Sequence, residues 1–316
     1  LCEEESSQVN ERLTHPNPVW DAYFADPFVL RHNGSYYAYG TLPVPGRTIP
    51  TLRSTDLVHW EELPDSLQPL VPPVINYWAP EVAYAHGAFW MYYSGGGEDG
   101  EGHFLRVARA EDPAGPFVDC GPLAGDAEFS IDAHPFRDDD GTWYLFYCRD
   151  FLDGDRPGTG ISVVTLADMR TLADEPRAAI RAHADWTLYQ ADREWYGRRW
   201  PGWYTVEGPF VVKRDGRYYC FFSGGAWREP TYGVSYATAD HPLGPWEPSP
   251  GEAPTVLHTI PDHVLGPGHA SIVQGPDGGD WIVYHAWGPE RAGRTMRIDR
   301  LEWTADGPRC DGPTYS

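Results

Sequence analysis

The run Ile131-Asp132-Ala133-His134-Pro135-Phe136-Arg137-Asp138-Asp139-Asp140-Gly141-Thr142-Trp143-Tyr144-Leu145-Phe146-Tyr147 holds a complete structural unit. A short apolar strand leads into an Asp-Gly pair, and an alternating aromatic strand follows. Asp-Gly and Asn-Gly tolerate positive φ and are the strongest short-range hairpin signal. The same unit recurs along the chain. Its Gly-aromatic half reads Gly34-Ser35-Tyr36-Tyr37, Gly87-Ala88-Phe89-Trp90, Gly141-Thr142-Trp143-Tyr144, Gly216-Arg217-Tyr218-Tyr219 and Gly278-Gly279-Asp280-Trp281, at separations of 53, 54, 75 and 62 residues. Apolar segments precede each: Phe28–Leu30, Glu81–Tyr84, Pro135–Arg137, Phe210–Lys213 and Ser271–Gln274.

Third strands are predicted at Thr51–Ser54, Leu105–Ala108, Ile161–Thr165, Tyr232–Ala237 and Thr295–Arg297. Fourth strands are predicted at His59–Glu61, Phe117–Val118, Trp246–Glu247 and Leu301–Trp303. Four antiparallel strands per repeat make the blade of a β-propeller, and five repeats make five blades. The expected fold is all-β, a five-bladed β-propeller filling residues 1–316 as one domain, with blades starting near 22, 78, 130, 205 and 266. Only Val164 to Ala179 leaves room for a turn of helix. Trp186 to Tyr204, WTLYQADREWYGRRWPGWY, crowds aromatic and Arg residues without clear alternation. It reads as a long loop forming one wall of a site.

Composition agrees with this architecture and narrows the partners. The 316 residues are 41% hydrophobic and 14% aromatic, with 14 Trp and 19 Tyr. Flat apolar faces with polar edges suit both an aromatic β core and a sugar ring. The 34 Gly and 31 Pro are spread along the chain, as punctuation between many short strands. A net charge of −22 makes nucleic acid and anionic membrane surfaces poor partners. No run reaches transmembrane length. Lys213 is the only Lys, which looks like a high-GC coding bias. Five Cys with no close spacing exclude a zinc motif, and Cys148 and Cys220 are expected as buried small hydrophobes. The chain starts at Leu1 without Met, which fits trimming; the compartment stays open between cytoplasm and secretion, and the Leu1-Cys2 start reads as a chain end rather than a lipoprotein remnant.

Three carboxylates sit in near-copies of one turn: Ala25-Asp26-Pro27-Phe28, Ile131-Asp132-Ala133-His134-Pro135-Phe136 and Val206-Glu207-Gly208-Pro209-Phe210. The inner strand of each blade lines the propeller axis. Asp26, Glu81, Asp132, Glu207 and His269 are expected at its start in blades one to five. Singly, Asp26 reads as a turn Asp before Pro, Glu207 as a surface Glu and Asp132 as a turn cap. Together around one funnel they repel and push their pKa values apart, as acid/base chemistry requires.

With these motifs the sequence resembles glycoside hydrolase family 43. The matching residues are Ala25-Asp26-Pro27, Tyr36-Tyr37 and Gly40-Thr41, Trp78-Ala79-Pro80-Glu81-Val82, Ile131 to Phe136, Glu207-Gly208-Pro209-Phe210, Gly266-Pro267-Gly268-His269-Ala270-Ser271, and Arg294 through Trp303. The resemblance implies a five-bladed enzyme acting on arabinose- or xylose-containing glycans by inversion. It implies Asp26 as general base, Glu207 as general acid and Asp132 as the carboxylate that orients the acid and modulates its pKa. An inverting pair stands roughly 6.5–9.5 Å apart to admit water. It implies sugar contacts at Trp78, Phe28, His269 and Arg294, no required cofactor, and at most a structural calcium in the channel near His269. Glu81 reads as structural, and Asp138-Asp139-Asp140 as a solvated hairpin tip rather than a calcium run. The expected reaction is exo release of a terminal pentose, α-L-arabinofuranose first, with β-xylosidase, arabinanase and exo-galactanase as alternatives. A non-catalytic carbohydrate-binding propeller is the alternative class; it would need no three acids in matching turns. A metal-dependent hydrolase would need a His/Asp cluster, and the channel offers one His.

Overall fold

The computed structural model describes residues 15–71, 74, 76–97, 102–123 and 129–315, so the Leu1-Cys2 start lies outside the described residues. Among them there is no α-helix. The first blade is β1 (Ala25–His32), β2 (Ser35–Thr41), β3 (Thr51–Ser54) and β4 (Glu61–Leu63). The second is β5 (Asn76–Ala85), β6 (Ala88–Gly96), β7 (Phe104–Ala110) and β8 (Val118–Pro122). The third is β9 (Ser130–Arg137), β10 (Trp143–Phe151) and β11 (Gly158–Asp168), with β12 (Thr171–Leu172) and β13 (Arg177–Ile180) both paired to β11. A 3₁₀ turn, Asp185–Thr187, leads to β14 (Leu188–Trp195). The fourth blade is β15 (Arg198–Arg214), β16 (Arg217–Gly224), β17 (Gly233–Ala239) and β18 (Glu247–Pro248). The fifth is β19 (Leu265–Gln274), β20 (Asp280–Trp287), β21 (Arg294–Thr304) and β22 (Gly307–Cys310).

Each blade is an antiparallel meander in chain order. The inner strands close a ring: β1 lies against β5, β5 against β9, β9 against β15, β15 against β19, and β19 against β1. The ring is fastened where Val19 N–H donates to Met296 O at 3.0 Å and the Asn17 side chain donates to Ile298 O at 2.8 Å. Three of the five hairpins between first and second blade strands use two-residue turns with positive φ at both positions: Asn33-Gly34, His86-Gly87 and Asp215-Gly216. At Asp140-Gly141 and Asp277-Gly278 only the Gly is left-handed, so those turns are longer.

Aromatic residues fill the seams between blades. Tyr39 meets Phe117 edge-on at 6.2 Å, Phe146 meets Trp246 at 5.6 Å, and Phe221 meets Trp303 at 6.2 Å. A fully buried side chain of this size contributes about 1.5–3 kcal/mol. Cys148 and Cys220 are fully buried, as expected.

Several expected segments differ. Val164 to Ala179 carries β strand rather than a helical turn, because its β-branched run pairs with β10. The fourth strand of blade five is β22, since β21 runs unbroken through Leu301–Trp303. Asp138 is not merely solvated: it accepts from Lys213 Nζ and from Tyr218 OH, both at 2.7 Å, tying the tip of blade three to blade four.

Candidate active site

All five inner strands break their ladders at one height. The breaks fall between Ala25 and Phe28, Trp78 and Glu81, Glu207 and Phe210, Gly268 and Ser271, and opposite Phe146/Cys148 in blade three. Each break is a β-bulge whose central residue is left-handed: Asp26 (φ 50°), Ala79 (44°), Asp132 (57°), Gly208 (59°) and His269 (52°). Four are not Gly, and each such residue costs on the order of 1–2 kcal/mol. Bulges re-aim side chains, and these turn polar groups toward the axis.

This corrects the alignment of the repeats. The positions equivalent to Asp26 and Asp132 are Ala79, Gly208 and His269. Glu207 lies one residue earlier, level with Trp78, and Glu81 lies two residues beyond the bulge centre of its own blade. The acid precedes Pro27 directly in blade one, whereas in blade four Gly208 intervenes before Pro209.

The next inward layer is Phe28, Glu81, His134, Phe210 and Ser271. Phe28 packs on Phe210 at 6.3 Å, and His134 lies 4.5 Å from Phe210. His134 Nδ1 pairs with Glu81 Oε2 at 2.6 Å, while its Nε2 accepts the Val211 N–H at 3.0 Å. These residues make the floor. Phe28 is therefore a core residue beneath the acids and not a sugar contact, because the bulge turns it inward.

Above the floor lies a cavity of about 850 Å³ lined by Asp26, Asp132, Glu207, Trp78, His269 and Arg294. Trp78 stacks face to face on His103, with centroids 3.5 Å apart. The expected wall is present but is a β-hairpin, β14 with the first arm of β15, turning at Tyr196-Gly197. Both its faces carry aromatics, which hid the alternation. It contributes Tyr189, Arg193, Trp195 and Trp203 to the cavity. Arg193 stands 4.7 Å over Trp195 and 5.1 Å over Trp203, stiffening it. β15 then runs on through Glu207, so wall and acid share one strand.

The three carboxylates occupy opposed environments. Burial alone would raise Asp26. The Arg294 guanidinium 3.1 Å from its Oδ1, with His269 at 3.5 Å, instead holds it well below the usual range, and His285 Nδ1 lies 3.2 Å from the same oxygen. All three contacts fall on Oδ1. Glu207 is pushed up to about 7 by burial, against the hydrogen bond that Tyr232 OH donates to its Oε1 at 2.7 Å; the charge of Asp26 adds to the rise. Asp132 is raised well above its usual value by burial and then by Glu207. Its Oδ2 accepts the Gly208 N–H at 3.1 Å, which anchors the backbone beside Glu207.

Sequence reasoning missed Tyr232, His285 and Tyr23. Tyr23 OH accepts from Arg294 Nη2 at 2.8 Å, and Tyr232 stacks parallel to His285 at 6.0 Å. None carries a local motif. The one indirect signal is Gly268, where a Cβ would sit 2.0 Å from the Tyr232 ring.

Calcium does not fit these side chains. Among the described residues no three His, Cys, Asp or Glu converge as ligands. The carboxylate nearest His269 is already faced by Arg294, which repels a hard cation. Dialysis against EDTA is expected to leave glycoside hydrolysis unchanged; a loss restored by added calcium is the contrary result.

The chain belongs to glycosyl hydrolases family 43: the profile of that description matches residues 15–308. A β-D-galactofuranosidase of Aspergillus niger is 30% identical over 254 residues, covering 74% of this chain and 66% of that protein. A xylosidase/arabinosidase of Butyrivibrio fibrisolvens is 27% identical over 213 residues, covering 64% and 37%. The chain thus spans less than two thirds of the length of these curated relatives. Among solved structures, a thermostable family-43 glycoside hydrolase superposes with a TM-score of 0.84 at 34% identity, covering 96% of this chain and 97% of that one.

Proposed function

We propose that the protein is an inverting, exo-acting glycoside hydrolase that releases a terminal α-L-arabinofuranose from arabinose-containing glycans. The observation that carries this reading is the opposed tuning of two carboxylates in one cavity: Asp26 stays ionised to well below its usual range, while Glu207 keeps its proton up to about pH 7. Such a pair performs a single displacement. Asp26 takes a proton from water on Oδ2, the oxygen free of Arg294 and the two His. The water oxygen bonds to C1 as the C1–O bond to the leaving group breaks. Glu207 gives its proton to the departing oxygen, so charge balances across the two acids. Asp132, itself held toward its neutral form, fixes the backbone beside Glu207 through Gly208.

Exo action is supported by the β14–β15 hairpin, which walls one side of the cavity. Trp78 offers a flat face to the sugar, and Arg294 offers N–H donors. A second reading is β-D-galactofuranose, supported by the Aspergillus niger relative. That sugar shares the ring configuration of α-L-arabinofuranose and adds one exocyclic carbon.

The test is a panel of 4-nitrophenyl α-L-arabinofuranoside, β-D-galactofuranoside and β-D-xylopyranoside with linear arabino-oligosaccharides. The first-formed anomer is followed by proton NMR. The expected result is preference for a furanoside, shortening of oligosaccharides by single residues, and β-arabinofuranose as first product. First formation of the α anomer overturns inversion, and internal cleavage overturns exo action.

A further inference from the structure

Each left-handed bulge residue leaves its own N–H out of the strand ladder, and a buried N–H without a partner costs about 1–3 kcal/mol. For four of the five, the preceding blade offers an acceptor from one position. It is the second-strand residue paired with the residue just before that blade's own bulge centre: Thr41 opposite Ala25, Ser94 opposite Trp78, Cys148 opposite Ile131, Ser223 opposite Glu207 and His285 opposite Gly268.

Thr41 Oγ1 accepts the Ala79 N–H at 2.9 Å. Ser223 Oγ accepts the His269 N–H at 2.7 Å. His285 Nδ1 accepts the Asp26 N–H at 3.0 Å, carrying the pattern from blade five back to blade one. In blade four the Gly208 N–H meets Cys148, and Asp132 Oδ2 also takes it. A weakly accepting thiol suffices there because the carboxylate supplies the strong bond. Ser94 holds the fifth position, but its buried hydroxyl has no partner among the described residues.

We propose that Thr41, Cys148, Ser223 and His285 form a belt that sets each bulge from the blade before it, and that His285 is the positioning residue for Asp26. His285 is fully buried. Its Nδ1 accepts from the Asp26 backbone, which fixes where that carboxylate leaves the chain. Its ring backs Tyr232, whose hydroxyl holds Glu207. One side chain therefore registers the base against the acid. In the other bonded blades a Thr, Ser or Cys spans the gap. Blade five uses an imidazole, which reaches Asp26 and supports Tyr232 together.

The catalytic part of this inference rests on the function proposed above, so its test has one arm independent of activity. His285→Leu keeps bulk and removes the acceptor. His285→Asn keeps an acceptor near the place of Nδ1. The Leu variant is expected to lower kcat by roughly 10²-fold with KM unchanged, as a small misplacement of a reacting group does. The Asn variant recovers most of that loss. Ser223→Ala acts through His269 and raises KM instead. Ser94→Ala changes neither constant.

In hydrogen exchange followed by mass spectrometry, the segment holding Asp26 loses protection in the Leu variant and keeps it in the Asn variant. Exchange at Asp26 that is unaltered in His285→Leu overturns the belt, whether or not the protein cleaves any glycoside. A Ser94→Ala variant as impaired as Ser223→Ala overturns it as well. Normal exchange loss with full kcat overturns only the positioning of the base. Failure of the wild type on every glycoside strikes the proposed function and leaves the exchange result standing.

Discussion

Glu207→Gln slows hydrolysis of a glycoside with a sugar leaving group by roughly 10²–10⁴-fold, the range for loss of a general acid. The loss shrinks on 2,4-dinitrophenyl glycosides, whose leaving group departs without a proton. The same residue sets the alkaline limb of activity. Glu207 must hold its proton to act, so wild-type kcat/KM falls as pH rises through about 7. In Glu207→Gln that limb disappears. The limb belongs to Glu207 together with Asp132, because the two carboxylates interact. Linkage gives a matching sign for stability. The Glu207 pKa is raised from 4.5 to about 7, so its contribution is complete below pH 4.5 and is lost as pH rises through about 7. Kinetics across pH and leaving groups, with melting temperatures, check both. An equal loss on activated and unactivated substrates would remove Glu207 from the acid role.

Asp26→Ala has a comparable kinetic effect, roughly 10²–10⁴-fold, for the opposite reason: no group remains to take the proton from water. Azide needs no deprotonation and fits the space of the lost carboxylate. It is expected to restore turnover and to give a glycosyl azide of inverted configuration. Because Asp26 stays ionised to well below its usual range, the acid limb of the wild type lies well toward low pH. The substitution also removes the carboxylate partner of buried Arg294. Breaking a buried pair by removing one member costs about 3–5 kcal/mol, so the melting temperature falls too. Azide rescue separates the two effects, since a misfolded protein gains nothing from a nucleophile. A folded Asp26→Ala protein with wild-type kcat would end the assignment of the base.

The blades were legible because their signal repeats. Gly34, Gly87, Gly141, Gly216 and Gly278 each open an alternating aromatic strand, and that periodicity is local. The acids were legible because Asp26, Asp132 and Glu207 recur near Pro-Phe. Their alignment was not, because it depends on which residue is left-handed, and only Pro27, Pro80 and Pro209 mark it from one side. Placing the repeats on the residue before Pro would have matched Gly208 to Asp26 and sent Phe28 to the floor. Trp186 to Tyr204 hid its hairpin because both faces bear aromatics. Tyr232 and His285 lie inside strands whose hydrophobic pattern explains them already. Their roles exist only in contacts across blades.

β15 carries a wider consequence. Its 17 residues run from the tip of the cavity wall to the far side of blade four, with Glu207 between. Successive side chains of a strand face opposite ways, so inserting one residue in the arm exchanges its two faces and turns the cavity-facing aromatics beyond it away. Descendants of this chain can deepen or shorten the pocket only in steps of two residues per arm, matched on β14. Pocket depth can then evolve in increments of about 7 Å, set by two strand residues, with Glu207 left in place.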